Sequence, residues 1–471
     1  MRRALFVFIV ALIATSVSEV RGEDNSIASQ QSQVASGQAK ENSLVTSDLR
    51  LETKIDTSVP LTLDQCIKIA LERSPSIRMA ELDLKTAKLD VADARANYWP
   101  EIDASGQYRF SDTIDFGWER QNYDAQIAAN WTIWDHGRRE AGLAQSKANE
   151  GAVQNDYDRA KQNLIFNITE AYYDLLQAEK LIEVDKKLAE ISKGNVEKAT
   201  AFLETGRAIP SDVAAARVQQ ASDELTLIND QNNLELVRAR LASLMGLDPS
   251  VPVEVQDDPD YRMYTEATLI AREVLELEDS VSQAIQKRPE MNRLRARLTS
   301  LEWSLRLARL NRWPVITAEY NYDVLLDDYL RDRDNFGKYR NWNAVARISF
   351  PLFDSGVSGR QEQSAEITIQ QMKEDIGEQE RAITLEVQQA HFNLERAKKS
   401  LDIAREQVRD ATESLNITQG RYEQNMVIFL EVLSAQARYA RALTSQVKAF
   451  YDYKIAGKAM QKAMGTLQVE D

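Results

Sequence analysis

Few side chains in this sequence could do covalent or metal chemistry: two histidines, His136 and His391, and one cysteine, Cys66. A single thiol makes no internal disulfide and supplies no multi-cysteine zinc or iron–sulfur site. The histidines do not occupy matching places in the chain and form no evident ligand pair. There is no glycine-rich phosphate cradle, no nucleophile elbow and no His-Glu-x-x-His helix. What remains is carboxylate chemistry: 73 Asp and Glu against 58 Lys and Arg give a formal net charge of −15. Catalytic carboxylates leave no motif, so an enzyme on a helical frame is one alternative. It calls for a cluster of buried acids, whereas the acids here fall mostly on faces expected to be solvated. The negative balance argues against nucleic acid as a partner. No catalytic residue, cofactor or metal site is expected.

The elements that carry these acids are long. With only 17 Gly and 10 Pro in 471 residues, little interrupts a helix. Arg2 and Arg3 precede an apolar run from Ala4 to Ala14, too short to span a bilayer and of the length of a secretory signal. Residues 1–22 are therefore expected to be a signal peptide, with cleavage after Ser16 or after Gly22 both open. Residues 23–60, rich in Ser, Gln, Asn and Glu, predict a disordered leader. No later stretch is apolar enough to span as a helix, so a membrane-resident form would have to be a β-barrel.

From Leu61 onward the chain is written twice. In each copy a short helix stops at a proline, Pro75 or Pro289, and a longer one runs to Trp99-Pro100 or Trp313-Pro314. Proline cannot continue a helix and drives its predecessor toward extended geometry. A strand should follow, and the pattern alternates accordingly. Ile102, Ala104, Gly106 and Tyr108 face one way, as do Ile316, Ala318, Tyr320 and Tyr322; polar residues lie between them. Return strands alternate from Tyr123 to Ile133 and from Trp342 to Phe350, with polar loops expected at 111–122 and 325–341. Strands of about ten residues suit a tilted membrane crossing. Four strands cannot close a barrel, for which about eight are the minimum. Partners must come from other copies, and a trimer would supply twelve strands.

After Trp134-Asp135-His136-Gly137 and Phe353-Asp354-Ser355-Gly356, helical pattern continues for about 65 to 70 residues, a rod of roughly 100 Å. Val387, Ala390, Leu394, Ala397, Leu401, Ala404, Val408, Ala411 and Leu415 recur at spacings of three and four. The first copy, 219 residues earlier, keeps most of that stripe from Ile168 to Val196, with Asp185 as a charged member. A sustained seven-residue period means coiled-coil packing, and alanine lets backbones approach closely. Each rod ends in a tight turn holding Gly206 or Asn425, residues that tolerate the left-handed conformation. A returning helix runs from there to about Gly246 or Gly465.

This duplicated order of helix, Trp-Pro, hairpin, [Trp/Phe]-Asp-x-Gly, very long helix and Gly/Asn turn with Ile-x-x-[Asp/Glu]-Val resembles the TolC-type outer-membrane efflux proteins from about Leu61 to Leu467. The resemblance implies an α+β membrane protein whose internally duplicated subunit gives four β-strands to a 12-stranded trimeric outer-membrane barrel and long coiled-coil helices to a periplasmic α-helical tunnel. It implies a first repeat over 61–249 (hairpin 101–134), a connector over 250–279 lying in a periplasmic belt, and a second repeat over 280–471 (hairpin 315–353). The implied partners are two further copies, outer-membrane lipid, a periplasmic adaptor and an inner-membrane pump. The implied place is the outer membrane of a Gram-negative bacterium.

Family members close the tunnel tip with acidic rings and polar latches. Carried over by position, the first ring acid falls on Glu431 and the second on Ser434, which is not acidic. The constricting tyrosine falls on Tyr422, the latch arginine on Val427, and the polar latch pair on Ser211 and Asp212. The tip turns, with Gly206, Ile209, Asn425 and Ile428, are the implied adaptor-docking surface. For the acids there is a plainer role, since Glu431 and Asp212 stand in first turns of helices, where the dipole favours them. Small-molecule efflux is the expected function, with an outer-membrane role in type I protein secretion as the alternative. A periplasmic coiled-coil scaffold without a pore is the alternative of another class, and it leaves four amphipathic strands unexplained.

Overall fold

The computed structural model describes residues 60–113, 118–266, 276–325 and 340–467. The expected signal peptide, nearly all of the leader, the centres of both hairpin loops and part of the connector lie outside these residues.

Helix α1 (Leu63–Arg73) starts on a reciprocal cap: Gln65 N–H donates to Thr62 Oγ1 at 3.3 Å, and Thr62 N–H to Gln65 Oε1 at 2.9 Å. Ser74 is extended (φ −60°, ψ 126°) and Pro75 opens α2 (Pro75–Ala96). The second copy repeats this: extended Arg288 (φ −65°, ψ 130°) separates α6 (Leu277–Lys287) from α7 (Pro289–Leu310). Each proline thus ends one helix and, with no N–H to lose, starts the next.

Strands β1 (Glu101–Thr113), β2 (Trp118–Trp134), β3 (Val315–Leu325) and β4 (Arg340–Ser349) form one antiparallel sheet in that order. The register puts Ile102 opposite Ala129, Ala129 opposite Tyr320 and Tyr320 opposite Ala344, so one face is apolar across all four strands. The other face is polar: Arg347 pairs with Glu319 at 3.3 Å, and Asn321 donates to Asn343 at 3.1 Å. The expected loop limits need correction. Pairing continues to Thr113 opposite Trp118 and to Val324 opposite Arg340, because a backbone ladder persists through polar residues that end only the apolar alternation. At the other end β4 stops at Ser349, and residues 350–353 leave the sheet.

Helices α3 (Arg138–Glu204) and α8 (Val357–Glu423) are each 67 residues long, and the returning α4 (Pro210–Leu244) and α9 (Phe429–Ala463) are each 35. All four boundaries recur at an offset of 219. Both long helices begin at the same turn. Asp135 accepts the N–H groups of Gly137 (3.2 Å) and Arg139 (3.0 Å); Asp354 accepts those of Gly356 (3.0 Å) and Ser358 (2.8 Å). Both returning helices end at left-handed glycines, Gly246 and Gly465 (φ 73° and 68°). A Cβ at Gly246 would stand 2.9 Å from Arg73 O, and one at Gly465 3.1 Å from Arg288 N. Only glycine lets these ends reach the α1–α2 and α6–α7 junctions.

The main core gathers Ile168, Leu175, Leu241, Met245, Phe450 and Tyr451, all essentially out of water, where α1, α3, α4 and α9 converge. The chain between the copies, including α5 (Pro259–Glu266), is fastened over it. Leu61 and Val255 form a parallel bridge, Tyr172 donates to Gln256 O at 3.0 Å and Tyr264 to Leu401 O at 2.8 Å. Lys180 pairs with Asp257 at 3.2 Å and Lys454 with Asp258 at 3.4 Å. A second core forms around Met291, Ile383, Val387 and Met460.

Candidate pore wall and gate

Side by side, the helices make a curtain. In its upper part α3 packs against α2 and α7, and α7 against α8; lower down α3 packs against α4 and α9, and α9 against α8. The sheet ends in β1 on one flank and β4 on the other, and neither edge has a further partner within the described residues. Apolar side chains stand exposed on the same flanks. Met79, Leu82 and Leu89 lie on α2; Val218, Leu225 and Leu236 on α4; Leu385, Phe392, Ile403 and Ile417 on α8. All are more than half exposed. Such rows are exposed apolar faces on coiled-coil helices.

The tip is built by two turns of one design. Gly206 and Asn425 are left-handed (φ 73° and 58°). The N–H groups of Arg207 and Met426 reach back to Phe202 O (2.7 Å) and Arg421 O (2.9 Å), closing both long helices. Between the hairpins lies a small core of Ala199, Val213, Ala216, Tyr422, Phe429 and Val432. Tyr422 sits 5.4 Å, centre to centre, from both Phe202 and Phe429.

Tyr422 is only 7% exposed, and its hydroxyl has no hydrogen-bond partner among the described residues. Burial, and after it the Asp212 carboxylate, push its phenol above the ordinary range, against a smaller opposite effect of Arg207. Asp212 is half-buried and accepts the Ile209 N–H at 3.5 Å. Tyr422 and Asp212, from different hairpins, are close enough for the carboxylate to act on the phenol, with no hydrogen bond between them. Ser211, Glu431 and Ser434 are exposed. Ser434 donates its hydroxyl to Leu430 O at 2.9 Å, inside its own helix. Gly206 and Asn425 are exposed as well, and Ile209, Met426, Ile428 and Leu430 present apolar side chains that are 61 to 66% exposed.

Three ties at the tip carry no sequence signal. Lys198 pairs with Glu423 at 2.8 Å, Arg207 donates to Glu423 O at 2.7 Å, and Asn195 donates to Gln436 Oε1 at 2.7 Å in a buried contact. Each joins a helix or turn of the first copy to one of the second, and no periodicity within one helix reports such a pairing.

Among the described residues no group of three or more His, Cys, Asp or Glu side chains is arranged to hold a metal ion. His136 stacks on Trp313 (4.2 Å between ring centres) and His391 lies edge-on to Phe392. Cys66 is fully buried, and burial pushes its thiol up to about 12, leaving almost no thiolate at neutral pH. No described helix is long and apolar enough to cross a membrane.

A family model described as outer membrane efflux protein matches residues 66–247 and 280–466. Protein CyaE of Bordetella pertussis is 23% identical over 86% of this chain and 84% of its own length. Outer membrane protein TolC of Escherichia coli K12 is 21% identical over 84% of this chain and 81% of its own. The outer membrane protein VceC of Vibrio cholerae has the same fold, with a TM-score of 0.71 at 20% identity, covering 86% of this chain and 96% of that one.

Proposed function

The chain belongs to the outer membrane efflux protein family, and from that premise we propose that it is one third of a closed channel-tunnel. Three copies would join head to tail, β4 of one against β1 of the next and α8 against α2 and α4. Identical heterologous contacts of this kind close into a ring when the rotation allows. The observation that carries the proposal is the pair of unpartnered flanks, each joining an open strand edge to exposed apolar helix rows. Twelve strands would then form a barrel with its apolar face to outer-membrane lipid and its polar face to the lumen. The helices below would line a periplasmic tunnel, gripped at its middle by the belt over 250–279. Residues 1–22 would serve as the secretory signal, and repeats 61–249 and 280–471 would each supply half of every subunit.

In this proposal the tip is the gate. Glu431 would ring the axis without a second acid beside it, and the packing of Tyr422 on Phe202 and Phe429, with the links from Lys198 and Arg207 to Glu423, would hold the two hairpins together. No step of transport needs catalysis by this chain; a pump in the inner membrane would supply the energy. Ile209, Met426, Ile428 and Leu430 offer the apolar surface on which a periplasmic adaptor would dock. The cargo is assigned to small molecules, following the family's description as efflux proteins; secretion of a protein is the second reading.

Photo-crosslinkers at Ile209 and Ile428 in living cells test this, since the left-handed turns at Gly206 and Asn425 accept substitution poorly. Capture of an adaptor belonging to a small-molecule pump is expected. Capture of a protein-secretion adaptor would move the assignment to type I secretion, and capture of no adaptor would remove the docking surface.

A further inference from the structure

The α3–α4 and α8–α9 pairs are one coiled coil made twice, and they differ in charge at three equivalent positions. Asp185, Asp223 and Asp230 of the first pair stand where the second has Ala404, Ala442 and Ala449. These alanines are 4, 6 and 8% exposed, so the packing itself accepts a methyl group at each place and does not call for a carboxylate. Asp185 is equally deep, at 6% exposed, in the stripe between Ile182 and Ala189. Its Oδ2 is buried with no hydrogen-bond partner, and it forms no ion pair among the described residues. The groups that act on it are other acids, Asp230 of α4 first and Asp223 after it.

Asp223 is held differently. Gln219 donates to it at 2.8 Å and Gln436 at 3.4 Å. Asp185 and Asp223 line a cleft of about 350 Å3 walled by α3, α4 and α9. The basic groups facing it are Arg441 and Lys448 of α9; Arg441 donates to Ala437 O of its own helix at 3.2 Å, and neither pairs with Asp185. On α3 itself, Lys187 lies over the ring of Tyr439.

A carboxyl group removed from water, with one oxygen unpartnered and no cation paired to it, favours its protonated form. We propose that Asp185, buried between α3 and α4, is a proton-binding site whose proton keeps α3 on α4, so that this helix pair, unlike its α8–α9 counterpart, loosens as pH rises. Burial first, then the neighbouring acids Asp230 and Asp223, push Asp185 up to about 7 from 3.8. A carboxyl raised in the folded state stabilises it fully below the unfolded value and loses that contribution as pH climbs through the folded one. Opening the pair releases one proton. The opening equilibrium should therefore grow by up to about tenfold per pH unit from about 4 to about 7 and then level off.

Hydrogen exchange on the full-length protein in detergent, corrected for intrinsic exchange, tests this between pH 5 and 8. Residues 180–190 and 223–235 are the probe, and the equivalent residues 399–409 and 442–454 of the same molecule are the reference. The first pair is expected to lose protection up to about tenfold per pH unit more steeply than the second. Asp185→Asn, which keeps the shape and supplies its own donor, is expected to abolish that difference. Equal slopes in the two pairs of the unaltered protein would overturn the proposal, as would an undiminished difference in Asp185→Asn. Millimolar calcium restoring protection at pH 8 would overturn it in favour of a cation site. If Asp185→Asn fails to assemble, the comparison within the unaltered chain still decides.

Discussion

Tyr422 feels the charge of Asp212 at the tip without a hydrogen bond to it: burial and then the Asp212 carboxylate push the phenol up, yet its hydroxyl has no partner among the described residues. The Asp212 side chain instead accepts the N–H of Ile209, at the start of its own helix. What binds the two hairpins here is aromatic packing, supported by the links from Lys198 and Arg207 to Glu423.

The ring and the hydroxyl of Tyr422 should therefore separate in experiment. Tyr422→Phe removes an unsatisfied buried hydroxyl, worth about 1–3 kcal/mol when left without a partner, and keeps the contacts with Phe202 and Phe429. It is expected to leave the closed-state conductance in planar bilayers unchanged. Tyr422→Ala deletes the ring at a cost of roughly 3–5 kcal/mol, and is expected to raise the basal conductance. A leak in the Phe variant equal to that of the Ala variant would show that the hydroxyl carries the latch.

Glu431 is exposed in the first turn of α9, and Ser434, one turn on, is uncharged and bonded into its own helix. Divalent-cation block of the channel should then rest on one ring of three carboxylates. Glu431→Ala is expected to weaken that block, while Ser434→Ala should leave it as it was. Unchanged block in Glu431→Ala, measured in planar bilayers, would remove this residue from the gate.

The buried charges at the α6–α7 junction make a separate prediction. Arg288 is 5% exposed and binds Glu290 at 3.2 Å and Glu386 at 2.7 Å, tying that junction to α8. Removing Arg288 leaves buried Glu290 with only the half-exposed Arg159, a loss of about 3–5 kcal/mol. Arg288→Ala should lower the thermal unfolding midpoint of the purified protein. Arg309→Ala, which breaks only half-exposed pairs with Glu362 and Glu366, should change it far less. Equal losses would contradict the assignment of burial as the deciding factor.

The repeated boundaries were readable because each has a local physical mark: Pro75 and Pro289 at a helix break, Gly206 and Asn425 at a left-handed turn, an unbroken stripe from Val387 to Leu415. The strands were readable only as far as their apolar alternation ran. The ladder from Ser111 to Thr113 and from Glu119 to Asn122 is polar, and backbone pairing leaves no mark on side-chain type. At the tip the positions of Tyr422 and Asp212 were legible from the duplicated turn, but the burial of one and the hydrogen bonding of the other were not. Lys198 with Glu423 and Asn195 with Gln436 pair residues more than two hundred positions apart, which no window along one helix can reveal. Asp185 was visible as a lapse in the apolar stripe, and its meaning depended on Asp230 being brought near it by the α3–α4 turn.

The central claim is that β1 and β4 are the two halves of one contact between copies. Cysteines placed on the polar face, at Ser105 of β1 together with Asn343, Val345 or Arg347 of β4 in turn, would be oxidised in isolated outer membranes. Cys66, buried with its thiol pushed up to about 12, should not compete. At least one pairing is expected to give a covalent ladder of dimer and trimer ending at the trimer. Cross-links confined within single chains, or no cross-link at any of the three positions in membranes that contain the protein, would contradict the closed ring.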